Sequence, residues 1–551
     1  MLHVWDLNKY QRSKISSILK YTASISSVSI LVSCSLTPNR AKTAADKEVY
    51  DILKQSEDQV FKRKSSFNVA STNNSSGSTN QELVNRTNKK GAITLNLQDC
   101  IRYATINSRD YQDAKEDLYL TALNLSDSRE TFSYRKSSSL SSTFQRQSDG
   151  DQRSSSDFTN GISKIFKSGG SLSLNLANDL VKYFIGSPDR SITSVISVSL
   201  VKPLLRGSGS KIAAENLTQS SRNVIYSIRD YDFFQQSFSH EIVIDYLRLL
   251  QQKEQVFNEK TNFESRQQNF NYLEARSIDR ASPEEVADAE QEVLAAKTRL
   301  INAESSFETS LDNFKVTIGM PASMKLSLNA TELEKLVSSG LHTFPLSSSS
   351  AYHKALESRH LLLNEIDRFE DQKRQVTIAA NDLKADLDFI TNASLANSGN
   401  RWERLNFDDI SANIGLELDL PANRKRERNN YRRALISFDA TTRSLSQTHD
   451  SLKNLINLRF RQLEQFKQNY NIQLGALELA KKRVEGNKLR LKAGSVIFRR
   501  LSESQDALIS AQNAVTAALI NYQETRLQLF ADIGILNISK PNYWLHKNPT
   551  L

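Results

Sequence analysis

The chain has 551 residues, a formal net charge of +10 and a mean hydropathy of −0.49. Its 72 basic and 62 acidic residues interleave along helical stretches, the pattern of solvated helix faces, so no nucleic-acid partner is expected. With 17 glycines and 9 prolines the chain has room for long uninterrupted helices, and its patterning is too uniform for several unrelated domains.

At the N-terminus, Lys9, Arg12, Lys14 and Lys20 precede an apolar-to-small stretch, Tyr21 to Val32, which ends in Leu31-Val-Ser-Cys34. That order is the order of an export signal, placed at residues 1–33. Its end resembles a bacterial lipobox. The resemblance implies cleavage before Cys34, lipidation of Cys34 and, with Ser35 behind it, sorting to the outer membrane. Cys100 is then the remaining thiol, which excludes an internal disulfide, and on a helical pattern it reads as a small buried residue. No run of 18 apolar residues follows the signal. A chain of this kind crosses a bilayer only as a closed β-barrel.

Residues 34–90 read as a polar tail, disordered from Lys64 to Lys90 where Ser, Asn and Thr dominate. Order is expected from Ile93-Thr-Leu-Asn-Leu97. A first repeat spans 91–320. Its first helix carries Leu97, Ala104, Tyr111, Leu118, Leu125 and Phe132 seven apart. From 137 to 202 alternation replaces that period. Leu172, Leu174 and Leu176 interleave with Ser171, Ser173 and Asn175, and Ile196, Val198 and Leu200 with Ser197 and Ser199. These are strands with one apolar and one polar face, as in a soluble sandwich or a membrane barrel. Lys211 to Ile278 lacks glycine and proline, enough for a helix of about 65 residues and about 100 Å. Its stripe is Ile242, Leu249, Val256, Phe263 and Phe270. After a tip, Pro283-Glu-Glu285 opens a return helix with acid at its positive end. The return stripe is Val286, Val293, Leu300, Phe307 and Phe314, closing at Ile318-Gly319.

A linker with little pattern, 321–350, leads to a second repeat at 351–540 and a C-terminal tail at 541–551. Ala355, Leu362, Phe369 and Val376 form its first helical stripe, with strands expected at about 374–391 and 408–420. Pro421 ends the second strand. The basic run Arg424-Lys-Arg-Glu-Arg428 with Arg432 and Arg433 follows, which suits phospholipid headgroups if the strand spans a membrane and a soluble helix start otherwise. The next helix carries Ile456, Leu463, Tyr470, Leu477, Val484 and Leu491, turns at Lys492-Ala-Gly-Ser495, and returns through Leu501, Leu508, Val515, Tyr522 and Leu529 to Ile533-Gly534. The two return helices superimpose without a gap at an offset of 215 residues, and the strands ending at Pro203 and Pro421 at 218. The chain is a duplication, and unit one has three extra residues at its tip. Sevens of this kind drive left-handed supercoiling and need partner stripes. About four strands per chain cannot close the smallest membrane barrel of eight, so several chains must contribute staves.

From about 93 to 536 the residues resemble the TolC-like outer-membrane efflux factors. The segment Leu489-Arg-Leu-Lys-Ala-Gly-Ser-Val-Ile-Phe-Arg-Arg-Leu-Ser-Glu-Ser-Gln505, with its return helix to Gly534, is similar to the family's tip-and-helix motif. Val201-Lys-Pro-Leu-Leu-Arg-Gly207 looks like the family's strand ending, with Lys202 in place of Gln. The resemblance implies a mainly α fold with β: a duplicated strand and long-helix unit, trimeric, with a twelve-strand transmembrane barrel continuing into a twelve-helix periplasmic coiled-coil tunnel. It also implies passive conduction of cargo from periplasm to exterior, driven by an inner-membrane pump. A periplasmic adaptor protein would dock on tips at Ala275, Arg276, Ala493, Gly494 and Ser495.

Some members narrow the periplasmic mouth with two aspartates, six and nine residues after the tip glycine. Those positions are Arg500 and Glu503 here, and Glu285 and Asp288 in unit one, so a purely anionic constriction is not expected. Arg500 is expected to pair with one of these carboxylates and hold the mouth closed, against the alternative of an ordinary surface ion pair. Ile162 to Phe166, Lys167-Ser-Gly-Gly170 and Leu172 to Leu176 read as an extra hairpin, on the extracellular loop by preference or adding staves to the barrel. No catalytic constellation stands out. His353 and His360 are seven apart, not four, so no shared metal is expected, and neither is a cofactor. The competing reading is a structural coiled-coil lipoprotein or a periplasmic adaptor.

Overall fold

The computed structural model of the chain describes residues 37–61, 67–69, 92–146, 152–185, 190–276, 282–329, 331–397, 405–420, 422–493, 495–496 and 498–548. The segment read as an export signal, Cys34 and Gly494 lie outside them. Unit one runs β1 (Ile93–Leu95), α2 (Leu97–Asn107), α3 (Arg109–Glu130), β2 (Tyr134–Arg146), β3 (Gln152–Ile165), β4 (Ser171–Ile185), β5 (Arg190–Pro203), a short α4 (Ser210–Ala213), α5 (Glu215–Arg276) and α6 (Pro283–Thr317), preceded by α1 (Pro38–Phe61). Unit two follows as β6 (Leu326–Leu328), α7 (Thr331–Ser339), α8 (Ser348–Ser358), α9 (His360–Asn381), β7 (Asp386–Asn397), β8 (Leu405–Asp419), α10 (Lys425–Lys492) and α11 (Phe498–Ile533).

The descending helices α5 and α10 are 62 and 68 residues long. Their return partners α6 and α11 end in the same device. Met320 N–H reaches Lys315 O at 2.7 Å and Ile535 N–H reaches Phe530 O at 3.0 Å, around Gly319 (φ 75°) and Gly534 (φ 81°). These are Schellman caps with glycine in the left-handed region. Each glycine sits on a break in another helix. A Cβ on Gly319 would stand 2.8 Å from Ser108 N, and one on Gly534 2.5 Å from Ser358 O. At the breaks Ser108 and Arg359 are extended, with ψ 135° and 105°. The first helix expected from Leu97 to Phe132 is therefore two helices, α2 and α3, ending at Glu130. The sevens run through the break, since Leu97, Ala104, Tyr111, Leu118 and Leu125 are all buried.

Ile242, Leu249, Ile456, Leu463, Tyr470, Tyr522 and Leu529 form the main core with α2, α7 and α8. The parallel pair β1–β6 is held to α5 by Tyr246, whose hydroxyl donates to Leu95 O at 3.0 Å. The pattern-poor linker thus contributes a strand and a helix, and Tyr543 and Trp544 of the C-terminal segment are buried in the same core. Inside the polar tail, α1 buries Val49, Ile52 and Leu53 on α3 and α5. These three fall at i, i+3 and i+4 in an otherwise charged stretch, a stripe too short to announce itself.

Six strands form one sheet in the order β2-β3-β4-β5-β7-β8, every neighbour antiparallel. Two expectations are corrected here. Residues 374–381 are helix, not strand: Val376-Thr-Ile378 favours strand locally, but Arg374 is anchored to Glu215 of α5 at 3.1 Å and packing overrides propensity. The extra hairpin is β3–β4, an integral part of the sheet. Its turn lies at the helix end of the sheet, not at the opposite end, because Gly209 N–H donates to Ser168 O at 3.1 Å. Lys202, the residue that departs from the family's Gln, donates to Ser168 Oγ at 3.0 Å and Gly169 O at 3.2 Å. The two departures are one feature.

Candidate functional site: a two-faced sheet and a polar helix tip

Residues directly opposite across an antiparallel ladder share a face. Tracing the register from β2 to β8 gathers the apolar side chains on one face, which also holds Ser138, Asn160, Lys164 and Asn178. One face carries Leu140, Phe158, Ile162, Leu172, Leu174, Leu176, Ile196, Val198, Leu200, Phe389, Leu395, Ile414 and Leu416. The other carries Ser137, Ser139, Thr159, Ser173, Asn175, Ser197, Ser199, Asn392, Ser394, Ser411 and Asn413, with Asp157 opposite Asp179 and Asp388 opposite Glu417. Among the described residues no second layer covers the apolar face at the β8 edge, where Ile414 is 75% and Leu416 67% exposed. Water does not tolerate so broad an apolar surface, whereas lipid on one side and water on the other matches both faces.

At the far end of the hairpins the tips pack together through Leu273, Ala289 and Phe498. Glu285 caps α6: its N–H donates to Ser282 Oγ at 3.1 Å and its carboxylate accepts from Ser282 N at 3.3 Å, a capping box. Asp288 pairs with Arg499 at 3.5 Å, so the cation that meets it is the neighbour of the expected Arg500. Arg500 and Glu503 lie on the exposed side of α11, and Arg500 forms no ion pair among the described residues. Its backbone carbonyl accepts from Asn487 at 3.1 Å. Ala275, Ala493 and Ser495 are exposed and Arg276 half-buried, its guanidinium 5.3 Å from the Tyr272 ring.

The seam between α5 and α11 changes character on the way to the tips. Near the core it is apolar, but Val256, Phe263 and Phe270 are only half-buried, and Asn258, Glu259, Asn262 and Arg266 take the buried positions. Arg266 is fully buried. It donates to Ser502 Oγ, to Ser502 O at 3.0 Å and to Asp506 at 2.8 Å, and meets Glu292 of α6 at 3.3 Å. Arg299 reaches the same Asp506 at 3.4 Å and Glu259 at 3.7 Å. This network joins α5, α6 and α11. In sequence Arg266 looked like part of a solvated face. Only its spacing from Asn262 and Leu273, four before and seven after, marks the seam.

The two units are locked side by side below the sheet. Asp371 of α9 accepts from Arg222 at 2.8 Å, Arg374 at 2.8 Å, Tyr226 at 2.6 Å and Gln219 at 3.0 Å. Burial, followed by this carboxylate, pushes the Tyr226 hydroxyl up. Deeper in, burial holds the His240 imidazole down at about 4, only partly opposed by Glu524 and Asp532. Burial likewise raises the Cys100 thiol, which is fully enclosed. A polar cavity of about 280 Å³, lined by Arg248, Arg459, Gln462, Asn521, Glu524 and Gln528, opens between α5, α10 and α11.

The architecture is therefore a six-stranded antiparallel sheet set on two long helical hairpins. No protein-family description matches the sequence, and no curated protein matches it. Solved structures do. CusC, described as forming a transmembrane channel, matches with a TM-score of 0.59 at 10% identity, over 80% of this chain and 92% of CusC. The CmeC outer-membrane channel of Campylobacter jejuni gives 0.58 at 14%, over 80% and 85%. The outer-membrane protein VceC of Vibrio cholerae gives 0.57 at 13%, over 80% and 96%. The chain has the fold of the TolC-like outer-membrane factors.

Proposed function

We propose that the protein is the outer-membrane channel-tunnel of a multipart efflux or type I secretion system, assembled as a homotrimer. The observation that carries this is the two-faced sheet, lipid-suited on one side and water-suited on the other, continuous with long helical hairpins. A second set of apolar residues supports further copies. Leu294 and Ile301 on α6, and Ile472 and Leu479 on α10, recur seven apart and are each more than half exposed. Such stripes are covered when hairpins of neighbouring copies pack beside them.

In this reading cargo moves passively along the polar face, and an inner-membrane pump supplies the energy through a periplasmic adaptor seated on Ala275, Arg276, Ala493, Gly494 and Ser495. Cys34 carries the lipid that tethers the outer-membrane end. The polar seam at Arg266 acts as the latch of the periplasmic mouth, since polar contacts exchange for water at less cost than an apolar seam. Arg500, with Glu285, Asp288 and Glu503 around the mouth, completes that constriction across copies. The test is to extract the full chain from outer membranes and run it unheated in SDS, then insert it in planar bilayers. Heat-modifiable trimers with unitary conductance support the reading. A soluble monomer after removal of the lipid sinks it and favours the structural lipoprotein or adaptor.

A further inference from the structure

We propose that β8 of one copy pairs antiparallel with β2 of the next, so that three copies close a barrel of eighteen strands, six from each. This rests on the three-copy reading above and goes beyond it in the strand count and in the seam.

The edges fit one another. β2 has 13 residues, all exposed, and β8 has 15, exposed along its described side chains from Ile410 to Asp419. Both are end strands of the sheet, and among the described residues no further strand pairs with their outer edges, a condition the hydrocarbon region does not allow. Six antiparallel strands leave β2 and β8 running in opposite directions, so each seam is itself antiparallel. An odd number would have set like directions together. The added hairpin keeps the count even, as in single-chain bacterial barrels, and carries the same apolar and polar faces as its neighbours.

The register also has the slope of a barrel. Tyr134, at the helix end of β2, shares a row with Lys164, Leu172, Leu200, Thr391 and Ile414, five residues short of the Asp419 that ends β8. At about 3.3 Å per residue and about 4.8 Å for each of the strand spacings from β2 to β8 that stagger tilts the strands by about 35°, at the lower end of the roughly 35–45° of membrane barrels. Imposing one height on every copy brings Arg135, on the polar face of β2, against Glu417 or Asp419 on the polar face of the neighbouring β8. The seam is charge-complementary where it begins.

Width gives an independent check. Eighteen strands at this tilt make a ring about 35 Å across, and twelve a ring about 23 Å across. Each copy supplies four helices at any level, and twelve helices spaced about 8–10 Å apart make a ring of about 30–40 Å. The eighteen-strand ring meets the helical ring without a step, so water-filled lumen continues from tunnel to exterior.

The experiment uses the full chain in outer membranes. Ser139→Cys is combined in turn with Asn413→Cys and Gly415→Cys, the two register choices that place both on the polar face. Oxidation should give covalent species of twice and three times the chain mass. A second pair, Ser173→Cys with Ser199→Cys, tests β4 against β5 within one chain, and electron cryomicroscopy of the trimer counts strands. Trimers whose second pair stays reduced, or whose barrel shows twelve strands with the hairpin outside, overturn the eighteen-strand barrel and leave the channel reading intact. Cross-links that stop at dimers overturn it as well. Absence of any inter-copy species in a protein that is monomeric overturns both.

Discussion

Gly319 and Gly534 should be the least replaceable glycines outside the sheet. Two terms act at each. An alanine in the left-handed region costs roughly 1–2 kcal/mol. Its Cβ would also stand 2.5 Å from the Asn107 carbonyl carbon at the first site and 2.5 Å from Ser358 O at the second. Those are backbone atoms of a neighbouring helix break, which cannot rotate away, and overpacking of that kind costs about 1–3 kcal/mol more. The expected loss is therefore about 2–5 kcal/mol for Gly319→Ala or Gly534→Ala. Two controls separate the terms. Gly340 has φ 66° with nothing within 4 Å, so Gly340→Ala should lose only the conformational part. Gly486 lies inside α10, in its last two turns, with open space around it, and Gly486→Ala should gain about 0.8–1 kcal/mol. Thermal melts of the purified proteins at one scan rate should rank Gly486→Ala above wild type, then Gly340→Ala, then the two joint variants. If Gly319→Ala melts with Gly340→Ala, the joint is not a close-packed contact and the reasoning fails.

Three further outcomes follow. Leu174→Arg should deplete the protein from the outer membrane, because a lipid-facing arginine costs about 2–4 kcal/mol near the midplane, while Ser173→Arg on the water-suited face should be tolerated; equal behaviour of the two would remove the face assignment. His240 is neutral in the fold, with its ordinary value near 6.5 held down to about 4, so the unfolded chain binds the extra proton between those values. Its contribution is complete above about pH 6.5 and is lost as pH falls toward 4, up to about 3 kcal/mol; melts of His240→Gln should show a flatter acid slope than wild type, and an unchanged slope refutes the assignment. Arg266→Met should raise single-channel conductance by loosening α11 from α5, with Arg299 left to neutralise Asp506. A variant that conducts like wild type would leave Arg266 a structural ion only.

What could be read from the sequence was whatever repeats at short range. The sevens in α5, α6, α10 and α11, the Pro283 restart and the alternation in β4 and β5 each report a local period, and each element stands where its period put it. The helix breaks at Ser108 and Arg359 could not be read that way. Neither position has glycine or proline, and the break is set by a glycine from the far end of the same repeat, more than 170 residues away in chain order. The same limit applies to the tip. Glu285 and Asp288 were placed by counting, but counting could not show that Glu285 is occupied as a cap or that Arg499, not Arg500, meets Asp288.

The differences between the repeats have a common location. Unit one carries the hairpin β3–β4, the Lys202 that holds its turn, a longer connection from Pro203 to the helix at Ser210 and the buried Arg266; unit two keeps a single strand pair, and its descending helix α10 keeps Tyr470 and Ala480 buried far down toward the tip. A duplication that stays symmetric can change only both halves of a wall at once. With the halves specialised, the proposed wider barrel and the proposed latch both rest on unit one. Unit two meanwhile preserves the apolar seam from α10 to α11 that keeps the wall in register. The paired joints at Gly319 and Gly534 are the part that neither half has changed, because each fixes where a return helix meets the broken helix above it. The sheet and the polar seam can change without moving that joint; the joint cannot move without unstacking the helices on either side of it.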